Sequence, residues 1–203
     1  VRIHKEPNAL RRYVIGLDAA GGIPGGDNSA AVVQSVETGE AVAVLQGLVG
    51  GDTLARMTAE LSLRYGKAPV GGERDAWTLP VLEKLEALGV PCYYHEVDMK
   101  IGFPNTNTSR MQGVAALRSA VSEGDWRTLD GPLIQEIAQY ARTTDPDSRV
   151  EQYGAPKGLH DDLCVAAQRA QQMRLGIPGQ TVFNMRMPEN QMVSTYPEPR
   201  VGW

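Results

Sequence analysis

The spacing of apolar residues along this chain changes once, at Asp52, and that change restricts the folds open to it. Before it, three apolar runs follow one another closely: residues 12–18, Ala30–Val36 and Ala41–Val49. A glycine-rich loop, Ala19–Asn28, and a tight turn, Glu37-Thr38-Gly39-Glu40, join them, so they predict an antiparallel meander. After it, helical periods alternate with short strands. Asp52 reads as the N-cap of a helix marked by Leu54, Met57, Ala59, Leu61 and Leu63 and ending near Gly66. Ala68–Gly72 reads as a short buried strand, Trp77 to Leu88 as a second helix stopped by Gly89, and Val90–Tyr94 as a further strand. Such an alternation implies parallel strands added beside the meander, giving an α/β mixed sheet flanked by helices.

Further along, Ile101–Asn107 is a Gly/Pro/Asn-rich loop, and a helix is predicted from about Thr108 to Ser122. Trp126–Leu129 reads as a short strand and Pro132–Gln139 as a short helix with proline in its first turn. Tyr140–Tyr153 is irregular or hairpin-like around the turn signal Asp145-Pro146-Asp147-Ser148, and a last helix runs from about Leu159 to Leu175. From Ile177 to Trp203 periodicity is lost, so residues 1–176 are expected to form one domain and 177–203 a loosely packed or partner-binding tail. No apolar run approaches the ~18–20 residues of a membrane span. Cys92 and Cys164 lack metal-ligand spacing and read as reduced, buried thiols. The first residue is Val1, which suggests a piece of a longer protein.

Three acidic clusters carry the chemistry. Tyr13-Val14-Ile15-Gly16-Leu17-Asp18 and Pro69-Val70-Gly71-Gly72-Glu73 each deliver a carboxylate at the end of a strand, where an unpaired charge is costly. Gly158-Leu159-His160-Asp161-Asp162-Leu163 places two acids in the first turn of a helix. There Leu159, Leu163, Ala166, Ala167 and Ala170 define an apolar stripe with the acids at its edge. Bare carboxylates without matching His or Cys suit a hard cation, Mg²⁺ or Mn²⁺, and a pair of such ions suits phosphodiester hydrolysis. Asp18, Glu73, Asp161 and Asp162 are therefore the candidate catalytic and metal-binding residues.

Each has a plainer reading: Asp18 as a turn residue, Glu73 as half of an ion pair, and Asp161 and Asp162 as helix-capping acids. Asp75 reads as an N-cap for the second helix. Asp27 and Ser29 could orient the site or serve as ordinary turn residues, and His160 reads equally as a phosphate contact or a surface histidine. Lys157 and Arg110 are candidate DNA contacts among scattered basic residues. The glycine-rich loop fits neither GxxxxGK[ST] nor GxGxxG, and no Walker A motif occurs anywhere. The net charge of −4 argues against a protein that coats DNA non-specifically, though not against a nuclease.

Taken together, Gly16-Leu17-Asp18, the loop ending Gly25-Gly26-Asp27-Asn28-Ser29, Gly72-Glu73-Arg74-Asp75 and Lys157-Gly158-Leu159-His160-Asp161-Asp162-Leu163 resemble the nuclease domain of tailed-phage terminase large subunits. The resemblance covers about Tyr13 to Leu175. It implies a ribonuclease H-like fold, with three antiparallel strands followed by parallel ones, and Asp18 and Glu73 on neighbouring strands. It further implies a two-metal endonuclease cutting concatemeric double-stranded viral DNA in the host cytoplasm. The implied partners are an N-terminal packaging ATPase domain, the portal and the small terminase subunit. Asp75 stands where such domains usually carry Asn, which adds a charge to the site. The alternatives are an actin- or sugar-kinase-like nucleotide-binding domain, a Holliday-junction resolvase-like nuclease, and a non-catalytic docking domain of the same fold.

Overall fold

The computed structural model describes residues 1–144, 151–156 and 158–176. The meander is present as β2 (Tyr13–Asp18), β3 (Ser29–Ser35) and β4 (Glu40–Gly47), antiparallel throughout. The sequence reading missed β1 (Arg2–Ile3), which pairs with β4. Helix α1 (Gly51–Arg64) leads to β5 (Val70–Gly72), which lies parallel to β2 with Leu17 opposite Gly72. The sheet order is β1-β4-β3-β2-β5, and β6 (Arg127–Thr128) also pairs with β4. Helices α2 (Thr78–Ala87), α3 (Asn107–Ser122), α4 (Gly131–Gln139) and α5 (Asp162–Gly176) complete the layers, and β7 (Ala141–Thr144) with β8 (Glu151–Gly154) forms a separate hairpin. Among the described residues no helix is long and apolar enough to cross a membrane.

Strand alternation sorts β2 onto two faces. Tyr13, Ile15 and Leu17 pack with α1 and α2 through Leu54, Leu61, Val81, Leu82 and Leu85. Burying each large aliphatic side chain stabilises by roughly 1.5–3 kcal/mol. Val14, Gly16 and Asp18 point the other way, toward α5. Gly16 is there because nothing larger fits: an added Cβ would lie 1.9 Å from the carbonyl oxygen of Ala166 and 2.4 Å from the amide nitrogen of Ala170. At this point α5 rests on the strand main chain to main chain.

Four expectations need correction. Val90–Tyr94 is not a strand: Cys92 makes one bridge to Val70, and Tyr94 folds back on Ile101 and Gly102. Pro91 accepts from Val70 N but has no N–H to extend a ladder. Asp52 is not the cap of α1; the extended Gly50 is, and Asp52 in the first turn pairs with Lys84 of α2. The last helix begins at Asp162 rather than Leu159, which lies outside it and is exposed. Finally, α5 is not amphipathic. Leu163, Cys164, Ala166, Ala167, Gln168, Arg169, Ala170, Gln171 and Met173 are all buried, because the sheet, α3 and α4 enclose the helix. The hairpin-like reading of Tyr140–Tyr153 corresponds to β7 and β8. Its turn Asp145–Ser148, the tail Ile177–Trp203 and Lys157 lie outside the described residues. Cys92 and Cys164 are free and buried, and burial pushes both thiols up to about 12.

Candidate functional site

Asp18 closes β2, one register step beyond the Leu17–Gly72 pair, so Glu73 follows β5 beside it on the side that faces α5. Its carboxyl is held well above the usual carboxylate range. Burial contributes most, followed by the negative charges of Asp162, Asp75, Asp161 and Glu73. The fold thus gathers around Asp18 the carboxylates the sequence singled out, from three separate segments.

A cavity of about 340 Å³ opens at this point, lined by Asp18, Asp27, Asp161, Asp162, Ile23, Trp77 and the glycine-rich loop. The loop is closed by Ser29, whose buried hydroxyl accepts from Ala20 N at 3.1 Å and donates to Val49 O at 3.0 Å. That is an orienting role for Ser29. Gly22, at φ +66°, lets the loop touch the Val49–Gly50 main chain, where a Cβ would come within 2.5 Å of Gly50 N.

The α5 end of the cavity is built by capping. Asp161 precedes the helix; its carbonyl accepts from Val165 N at 2.8 Å and its carboxylate from Ala155 N, just past β8, at 2.9 Å. Asp162 is buried, and its Oδ2 has no hydrogen-bond partner. Its carboxyl is pushed up to about 6, by burial first and then by Glu136 and Asp27, while His160 and the amide of Asn28 pull the other way. His160 is half-exposed, with Nδ1 3.8 Å from both Asp27 Oδ1 and Asp162 Oδ2. Glu136 of α4 escaped the sequence reading. Its Oε2 accepts from Leu163 N at 2.7 Å and Cys164 N at 3.2 Å, so an acid from another helix caps α5. Its helical spacing from the buried Leu133 was the available signal.

Glu73 and Asp75 have different surroundings. Asp75 accepts from Trp77 N at 2.8 Å and Thr78 N at 2.7 Å, the capping role read from the sequence. Thr78 Oγ1 in turn donates to Asp75 and accepts from Ala19 N at 3.1 Å, tying the start of α2 to the residue after Asp18. Glu73 is buried between two arginines: Arg110 Nε donates to Oε1 at 3.0 Å and Arg169 Nη2 to Oε2 at 3.1 Å. Arg169, on α5, is 1% exposed, lies over the Phe103 ring at 5.4 Å and also bonds Ser109 O and Gln172. In the sequence Arg169 reads as one of several scattered surface cations and Arg110 as a DNA contact, and the carboxylate that pairs with both is not visible there. Arg74, the neighbouring cation, pairs with Asp98 instead.

Among the described residues, no three His, Cys, Asp or Glu side chains converge closely enough to hold a metal ion as they stand. The donor chemistry nonetheless fits a hard divalent cation: the cavity acids offer carboxylate oxygens alone, and one buried oxygen of Asp162 has no hydrogen-bond partner.

Several solved structures of large terminase nucleases share this architecture. That of thermophilic phage G20c with bound cobalt superposes at a TM-score of 0.71 and 18% identity, over 84% of this chain and 85% of that one. With bound magnesium the values are 0.70 and 20%, over 84% and 85%. The large terminase nuclease domain of Thermus phage P74-26 gives 0.65 and 22%, over 83% and 82%. No protein-family model and no curated protein matches the sequence. At such identities the likeness establishes the fold: this chain has the ribonuclease H-like fold of large terminase nuclease domains.

Proposed function

We propose that this chain is a metal-dependent endonuclease that cuts double-stranded DNA during viral genome packaging. The observation that supports it is Asp18, a carboxylate ending a central strand amid Asp162, Asp75, Asp161 and Glu73, in a fold shared with large terminase nucleases. The residues that would hold a pair of divalent ions, Mg²⁺ or Mn²⁺, are Asp18, Glu73, Asp161 and Asp162. Such a pair, when bound, supplies charge neutralisation, Lewis acidity and an activated water for phosphodiester hydrolysis. The products would carry 5′-phosphates.

The chain's own part is to place its acids beforehand. Ser29 fixes the loop after β2, Asp75 and Thr78 fix the entry to α2, and Glu136 with the Ala155 amide fixes the start of α5. Arg110 and Lys157 are proposed phosphate contacts, and Asp27 and His160 border the cleft. The proposed partners are duplex DNA, an N-terminal packaging ATPase domain, the portal and the small terminase subunit, in the host cytoplasm. Incubating plasmid with Mg²⁺ or Mn²⁺ tests the reading. Cutting should occur, stop in EDTA, and be abolished in Asp18→Asn with its fold intact by circular dichroism. Undiminished cutting in EDTA or by the variant overturns it.

A further inference from the structure

One wall of the acidic cleft is apolar. Trp77 and Ile23 line the same cavity as Asp18, Asp161 and Asp162, yet their side chains are 60% and 64% exposed. Scattered exposed apolar residues need no explanation, but two on the wall of an acidic cleft do. Trp77 is also held in place. Its amide donates to Asp75 Oδ1 at 2.8 Å, and the next residue, Thr78, accepts from Ala19, the residue after Asp18. The benzo edge of the indole lies on Gly21, where an added Cβ would sit 3.3 Å from Cη2 and 3.5 Å from Cζ2. A bulkier residue at 21 would displace the ring. The indole is therefore anchored through the backbone that positions Asp18, with much of its surface left to solvent.

Carboxylates recognise phosphate only through cations, so the cleft floor can take the phosphodiester but grips nothing else of a nucleotide. Sugar faces and base planes are what an aromatic or aliphatic side chain can add. We infer that Trp77, backed by Ile23, packs against the deoxyribose or base next to the scissile phosphate and so sets the register of the DNA strand over Asp18. This inference rests on the nuclease reading and extends it to a substrate-binding residue.

Tryptophan emission of the full 203-residue chain, titrated with a short duplex in millimolar Ca²⁺, a hard cation that can neutralise the acidic floor, tests it without requiring cleavage. Trp203→Phe serves as background, and the buried Trp126 contributes a constant signal. DNA should quench Trp77 emission and shield it from acrylamide. Trp77→Ala should weaken duplex binding about tenfold, and Trp77→Phe should restore it to within about twofold. Thermal melts of both variants check that the fold survives. If duplex binds with Trp77 emission unmoved, the inference is overturned while the nuclease reading stands, and equal affinity in Trp77→Ala has the same force. If the chain neither binds nor cuts duplex with any divalent metal, both fall together.

Discussion

Replacing Asp162 with Asn should stabilise the metal-free protein at alkaline pH. The folded protein binds the Asp162 proton more tightly than the unfolded chain does, with a pKa of about 6 against an ordinary 3.8. Stability from this group is thus fully present below the unfolded pKa, declines as pH rises through about 6, and is gone above it. At about 1.4 kcal/mol per pH unit the difference corresponds to about 3 kcal/mol. Water at the rim of the cleft reduces this to about 1–2 kcal/mol. Asn can still accept from the amide of Asn28, but its new NH₂ enters the space where Oδ2 has no partner, which offsets part of the gain. Urea unfolding in EDTA, repeated from about pH 4 to about pH 8, measures the outcome. The variant should lead by about 1–2 kcal/mol at the upper end, with the two proteins converging at the lower end. Millimolar Mg²⁺ should reverse the order by stabilising the wild type more. A variant less stable than wild type at about pH 8 in EDTA, or a gap that ignores pH, would refute the reasoning.

Two further changes probe the scaffold. Gly16→Ala should destabilise by about 3 kcal/mol or more in urea unfolding, because backbone atoms of α5 block the new methyl and have nowhere to go. Arg169→Met should cost about 3–5 kcal/mol by leaving Glu73 buried with one arginine fewer, and adding Glu73→Gln should recover much of the loss in the same assay.

The meander was legible because three short apolar runs are joined by turn-rich connections, while the place of β5 beside β2 came with the family resemblance. Asp18 stood out as a candidate because it ends a buried apolar run, and Asp161 and Asp162 because two acids stand directly before the apolar residues of the last helix. The surroundings of Glu73 were not legible. Its partner Arg169 is 96 residues away and looks, in sequence, like any polar residue on a helix. Only the stacking of α5 against β5 and α3 buries it. Glu136 was hidden likewise, since capping a helix from outside leaves no local signature. Val90–Tyr94 misled because its apolar composition satisfies a strand pattern while Pro91 withholds the hydrogen bond a strand needs.

The split between compensated and uncompensated acids has a consequence for the order of events at the cleft. Glu73 arrives with two guanidinium partners, so it contributes little net field. Asp18, Asp27, Asp161 and Asp162 line the cavity, and among the described residues that lining contains no Lys or Arg. A phosphodiester entering it would face several like charges at close range, a repulsion that strengthens as water is displaced. On the proposed reading the cleft therefore admits DNA only after, or together with, its cations. A nuclease loaded in that sequence stays inert toward nearby DNA until the acidic floor has been neutralised.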